Sequence, residues 1–265
     1  MADKHVIRAL MLGDVCGQPG CRALFIGLQS LVKEMRADFV VVNGENAADG
    51  FGLSVTQMDQ FFSLGVDVIT SGNHIWQQED ILPYLDSENR LLRPANYPPG
   101  VKGHGMGVFS VRQGQIAVIN LQGRQELPAI DDPFRVGLDL VTKAKKQASV
   151  VLVDFHAEAT DEKEALGFYL AGKASAVVGT HTHVQTDDAK ILSGGTAYVT
   201  DLGFCGPQDS VIGSDPKIAV DKQLSQMPLK NAIADHSPVI QGVSLSIDGE
   251  SGKTLSIERI QKTYF

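Results

Sequence analysis

Carboxylate, amide and imidazole side chains recur just past the ends of short apolar runs in this chain. VIRALMLG delivers Asp14, FVVVNG delivers Glu45 and Asn46, VDVITSG delivers Asn73 and His74, VVLVDF delivers His156, and AVVGT delivers His181 and His183. Imidazole and carboxylate suit zinc, iron and manganese, and an asparagine carbonyl is a harder donor that the same ions accept. A carboxylate such as Glu45 can place one oxygen on each of two ions. Two divalent ions exceed the charge of Asp14, Glu45 and a bridging hydroxide together, so the centre stays positive and attracts a phosphate. Ions about 3.5–4 Å apart lower the pKa of the shared water and hold both the attacking and the leaving oxygen of an in-line displacement. Such a centre is suited to hydrolysing a phosphate ester.

Taken singly, each residue has a plainer use. An Asp after a strand is usually a turn or helix cap. Glu45-Asn46 reads as loop chemistry, and His156 as a hydrogen-bonded core histidine. His181-Thr182-His183 says a little more, because alternation in an extended segment puts both rings on one side. The joint pattern is what separates a metal site from these readings: several strand ends carry ligands, and sites in α/β sheets form outside the carboxyl ends of strands.

The elements that must hold these groups follow from periodicity. Val6–Leu12, Phe39–Val42, Val66–Thr70, Val150–Val153 and Ala176–Val178 read as buried strands. Pro19 opens a helix whose face is Leu24, Leu28, Leu31, Val32 and Met35. Ser54 with Gln57 forms a capping box for a helix carrying Met58, Phe61 and Phe62 and closed by Gly65. A short helix is expected over Gln77–Leu85, and longer ones over Phe134–Lys146 and from a Thr160 cap to Ala171. Gly107–Arg112 and Gln115–Leu121 flank a Gln-Gly turn as a hairpin. Later, Ala189–Leu192 pairs with Thr196–Thr200, and Val239–Ile247 with Thr254–Gln261. The segment 202–238 is mixed, with a helix near Lys217–Leu224. Strand–helix alternation followed by hairpins predicts two packed sheets flanked by helices, and no linker or repeat divides residues 1–265, so one domain is expected.

The chain has 265 residues and a formal net charge of −8, with no long Lys/Arg run. That argues against duplex nucleic acid as a partner. The apolar start is interrupted by Arg8 and ends at Gly13-Asp14, too short for a signal sequence or a membrane span. A cytoplasmic protein without membrane association is therefore expected. Cys16, Cys21 and Cys205 have neither metal-site spacing nor the makings of a disulfide framework.

GDVCGQPG, NGENAADGFG, SGNHIW, DFHAEAT and GTHTHVQT, with RPANYP at 93–98 and TDLGFCGP at 200–207, resemble the calcineurin-like metallophosphoesterases and, within them, the YmdB-type bacterial branch. The resemblance runs nearly the full length. It implies a four-layer α/β/β/α sandwich, two mixed sheets flanked by helices, around a centre of two divalent or trivalent transition-metal ions (iron, manganese or zinc). Carried over by motif, Asp14 and His183 bind the first ion, Asn73, His156 and His181 the second, and Glu45 bridges. The superfamily usually has Asp-x-His where this chain has Asp14-Val15-Cys16, and bridges with Asp rather than Glu. In the branch, Asn46 takes the missing histidine's place on the first ion.

The expected reaction is attack of the metal-bridging hydroxide on phosphorus, with His74 as the general acid that protonates the leaving oxygen. The branch points to phosphodiesters, especially 2′,3′-cyclic nucleotides, and to phosphatase action on small monoesters. Arg93, Asn96 and Thr182 are candidates to hold the phosphate or nucleoside. The resemblance alone suggests a homo-oligomer. Two other readings stand beside this one: a signalling or regulatory protein that keeps the metal site and acts by binding, and a dinuclear amidohydrolase. The latter resembles a barrel with His-x-His near its start, whereas here that motif follows most other ligands.

Overall fold

The computed structural model describes residues 5–264. The first sheet runs in the order β2 (Asp14–Val15), β11 (Phe204–Pro207), β12 (Pro238–Asp248), β1 (Val6–Leu12), β3 (Phe39–Asn43), β4 (Val68–Thr70), with β13 (Thr254–Thr263) also paired to β12. The second runs β5 (Met106–Val111), β6 (Gly114–Gln122), β7 (Val150–His156), β8 (Ala176–Thr180), β10 (Thr196–Val199), β9 (Lys190–Leu192). β1, β3 and β4 are mutually parallel, as are β6, β7, β8 and β10, while β12 and β5 pair antiparallel to their neighbours. Both sheets are therefore mixed.

Side-chain alternation along the strands builds the layers. In β1, Ile7, Ala9 and Met11 face the second sheet, while Leu10 and Leu12 join the cluster under α1 (Gly17–Met35) and α2 (Val55–Ser63). In β7, Val150 and Leu152 face the first sheet, while Val151, Val153 and Phe155 pack against α4 (Pro133–Ala144) and α5 (Thr160–Tyr169). Strands buried on both faces read as unbroken apolar runs, as these do. The result is the expected α/β/β/α sandwich. Among the described residues, no helix is long and apolar enough to cross a membrane.

Several elements differ from expectation. The helix expected over Gln77–Leu85 is reduced to α3 (Tyr84–Ser87), which starts directly after Pro83. Proline disfavours helical backbone in the residue before it, so the helix begins behind the proline instead of running up to it. Thr160 is the first helical residue of α5; Ala159 occupies the cap position without a side-chain bond. α1 starts at Gly17, two residues ahead of Pro19. The strands β2 and β11 were not expected at all. They pair parallel with each other, Phe204 opposite Asp14, and fix the segment that carries Asp14. The helix near 217–224 is α6 (Pro216–Ser225).

Candidate metal centre

The strands deliver the candidate ligand groups to one end of the two sheets. Asp14 leads β2, Glu45 follows β3, Asn73 follows β4, His156 ends β7, and His181 and His183 follow β8. Asp14, Glu45 and His156 are fully buried. His156 Nε2 lies 3.3 Å from Glu45 Oε1 and 3.0 Å from His181 Nδ1. His183 Nε2 lies 3.3 Å from Asp14 Oδ2, and His156 Nδ1 lies 4.0 Å from the same oxygen. Asn73 sits between Gly72, which packs on the His156 ring, and His74, whose amide meets Glu45. All seven predicted ligands, Asn46 included, thus lie in one region.

The two later histidines reach it by another route than strand alternation. His181 has φ 101° and His183 φ 62°. Non-glycine residues adopt such backbone rarely and at a cost, and it concentrates at functional sites. The loop is held in this shape from below. Thr182 donates to Asp201 from both its amide (3.2 Å) and its hydroxyl (2.8 Å), and Asp201 is paired with the buried Lys163 ammonium at 2.6 Å.

Each imidazole is anchored through the nitrogen that faces away from its neighbours. His183 Nδ1–H donates to the Ile212 carbonyl at 2.8 Å. His181 Nε2 meets the Glu158 carboxylate at 3.0 Å. His156 Nδ1 meets the Thr180 hydroxyl at 3.1 Å, and that hydroxyl donates onward to Asp154 at 2.7 Å, so it accepts from the ring. Such outward bonds set the tautomer of a metal-binding histidine and leave the other nitrogen as the ligand atom. Asp154 also accepts from Thr70 at 2.5 Å and Asn43 at 3.0 Å. Burial nevertheless raises its carboxyl to about 6.

Among the described residues, no group of three His, Cys, Asp or Glu side chains stands at metal-binding spacing. The donor set still fits a pair of ions, because it is short of partners. Oδ1 of Asp14, Oε2 of Glu45 and Oδ1 of Asn73 are buried without a hydrogen-bond partner among the described residues, and Asp14 Oδ2 has only the 3.3 Å approach of His183 Nε2. Buried polar groups are nearly always satisfied, and a cation would satisfy these four.

Charge at the centre leans the same way. Burial favours the neutral forms, but the His183 contact and the nearby imidazoles outweigh it and hold the Asp14 carboxyl below its usual range. Burial alone would lower His156; the Glu45 and Asp14 carboxylates overcome it and push the ring up to about 9. Desolvation, with the facing His156 ring, pushes the partly buried His181 down to about 3. The carboxylates and the imidazoles at this centre therefore stabilise each other's charged forms at Asp14, His156 and His183.

Asn46 sits between two histidines. Its Oδ1 lies 2.7 Å from His74 Nδ1 and its Nδ2 3.1 Å from His183 Nε2. Oxygen donation to an ion beside His183 requires the amide to be turned over. His74 is held by its backbone amide, 2.9 Å from Glu45 Oε1, and by Nδ1. Its Nε2 is then the ring nitrogen left for the cleft that His74 lines.

That cleft measures about 300 Å³ and is lined by Cys16, Phe51, His74, His181, His183 and Ile233 among others, with no Lys or Arg among the described residues. Of the candidate substrate contacts, Thr182 lines it, but its hydroxyl is committed to Asp201. Arg93 and Asn96 do not line it. The Arg93 guanidinium donates to the carbonyls of Pro94, Val101, Lys102 and Gly103. The Asn96 side chain bonds Gln122 and Asp131 backbone groups. Both groups are committed to holding loops. Sequence reasoning passed over Asp154, Thr180, Glu158, Asp201 and Phe51 as parts of the site. The one available signal was position, since each lies inside a motif that carries the resemblance.

A family model described as YmdB-like protein matches residues 10–260. The chain is 42% identical over 254 residues to a Bacillus subtilis (strain 168) protein named 2′,3′-cyclic-nucleotide 2′-phosphodiesterase, covering 96% of each. A solved structure described as a novel phosphatase of Mycoplasma pneumoniae superposes with a TM-score of 0.91 at 32% identity, covering 97% of this chain and 94% of that one. A hypothetical protein of Thermus thermophilus gives 0.90 at 37% identity, covering 97% and 99%.

Proposed function

The chain belongs to the YmdB-like protein family, and from that premise we propose that it is a metal-dependent phosphoesterase acting on small phosphodiesters, 2′,3′-cyclic nucleotides first, and on small phosphomonoesters. The observation that carries this reading is the set of unpartnered buried oxygens on Asp14, Glu45 and Asn73 facing three outwardly anchored imidazoles. Asp14 and His183 would hold one ion, Asn73, His156 and His181 the other, with Glu45 shared and Asn46 joining the first after its amide turns. The mixture of imidazole, carboxylate and amide oxygen suits iron, manganese or zinc. When bound, such ions supply activated water and neutralise phosphate charge.

The protein's own groups do the rest. No Lys or Arg among the described residues lines the cleft, so the protein offers a phosphate no cation of its own there. The Asn46 amide lies 2.7 Å from His74 Nδ1; once it turns, its NH2 would donate to that nitrogen, fixing the ring and leaving the proton on Nε2, at the cleft, for the leaving oxygen. Glu158, Thr180 and the Ile212 carbonyl keep the three ligand rings from rotating. The test compares metal content and turnover of a cyclic nucleotide and a chromogenic diester among the wild type, Asp14→Ala and Glu45→Ala. Loss of both metal and turnover in the variants is expected. Equal, negligible turnover in all three would instead favour a protein that acts by binding.

A further inference from the structure

Phe51 has no place in the chemistry described so far, yet it is firmly built into the cleft. Its side chain is 51% exposed in the cleft wall and meets His74 edge-on, ring centroids 5.1 Å apart. The loop that carries it is pinned by hydrogen bonds. Phe51 N–H donates to the Ala48 carbonyl at 2.9 Å, and its own carbonyl accepts from Gln78 Nε2 at 2.7 Å. The flanking Gly50 (φ 90°) and Gly52 (φ 80°) take left-handed backbone, and their amides bond the carbonyls of Asn46 and Glu45 at 3.1 and 2.7 Å. The ring is therefore geared directly to two residues of the metal centre. Single exposed apolar side chains are common; what sets Phe51 apart is that a pinned loop holds its ring in the cleft wall, edge-on to His74.

The space around the ring suits a planar group. Beyond the metal cleft the surface opens into a groove of about 760 Å³ that shares Asp49, Phe51, Asn231, Ala232 and Ile233 with it. Ile212, 56% exposed, and Ile233 supply apolar surface, while Asp49 and Asn231 supply a carboxylate and an amide. A flat aromatic body with polar edges, tethered to a phosphate at the metal centre, matches this combination. Aromatic side chains stack nucleobases of any identity because every base presents a π-face.

We propose that Phe51 is the nucleobase platform of this enzyme and sets its preference for nucleotides over phosphodiesters that lack a base. The proposal rests on the phosphoesterase reading above. Its test measures kcat/KM for adenosine 2′,3′-cyclic phosphate and for glycerol 1,2-cyclic phosphate, which lacks a base, in the metal-loaded wild type, Phe51→Ala and Phe51→Tyr. Binding of adenosine 3′-monophosphate to the same proteins is followed by calorimetry. In Phe51→Ala the ratio of the two kcat/KM values should fall on the order of 10–100-fold through KM, nucleotide binding should weaken in parallel, and Phe51→Tyr should restore both. An unchanged ratio with unchanged nucleotide binding would overturn the platform, as would an equal loss on both substrates. Wild type that hydrolyses neither ester yet binds the nucleotide in a Phe51-dependent way would overturn the phosphoesterase reading and leave the platform standing. Wild type that hydrolyses the base-free diester while ignoring the Phe51 change on nucleotides would do the reverse.

Discussion

His74 is tied at one ring nitrogen and open at the other, and that asymmetry defines its expected behaviour. Its Nδ1 is 2.7 Å from Asn46 Oδ1, while the ring lines the cleft. Replacing it leaves Asp14, Glu45, Asn73 and the three anchored imidazoles in place. His74→Ala should therefore keep its metal and lose roughly 10²–10⁴ in rate on esters with poor leaving groups, with little loss on an activated aryl diester. Metal loss, or full activity on the poor leaving groups, would refute the acid role. His156 makes a second residue-scale prediction. Its folded value of about 9 lies above the unfolded value of 6.5, so the metal-free chain has the full stabilisation below about pH 6.5 and loses it as pH rises through 9. His183 is raised as well and adds with the same sign. A ligated imidazole carries no such proton. Thermal melts of chelator-treated protein should fall between pH 6.5 and 9 more steeply than those of loaded protein. Parallel profiles would refute this assignment of charge.

At the scale of elements, β4 and β7 must approach closely enough for one loop to seat the ring of the other. A Cβ at Gly72 would collide with the His156 ring. Gly72→Ala should therefore displace His156 and cut metal affinity and turnover sharply in a chain that still shows native far-UV circular dichroism. Retained affinity would mean that the loop has slack. α2 gives a stability check away from the chemistry. Ser54 Oγ accepts from Gln57 N–H at 3.4 Å, and Gln57 Oε1 accepts from Ser54 N–H at 3.1 Å. Ser54→Ala should cost about 0.5–2 kcal/mol, read as a lower Tm with activity unchanged. An unchanged Tm would show that the cap carries no weight. These elements were legible because apolar runs and caps are local signals. β2 and β11 were not, because these short segments become strands only through partners distant in the chain: β2 pairs with β11, Asp14 opposite Phe204 and Val15 opposite Cys205, and β11 pairs in turn with β12. The left-handed backbone at His181 and His183 also escaped, since it is imposed by Asp201 and Lys163 from elsewhere in the chain.

At the scale of the molecule, two sheets bring the loops that carry the candidate ligands, from both halves of the sandwich, to one end. The candidate ligand positions could be proposed because strands end where apolar runs end. The pairing of donors was not, because which imidazole meets which carboxylate depends on how the sheets face each other. Arg93 and Asn96 show the limit from the other side: polar residues in a motif near the site proved to be holding loops through backbone carbonyls and amides. The proposed chemistry depends on Asp14, Glu45, Asn73, His156, His181 and His183 sharing one pair of ions. Anomalous diffraction from crystals of the protein as purified, recorded at the absorption edge of the metal found by elemental analysis, tests this most directly. Two peaks per chain among those six side chains are predicted. Peaks elsewhere, or no bound metal in protein that still turns over substrate, would contradict it.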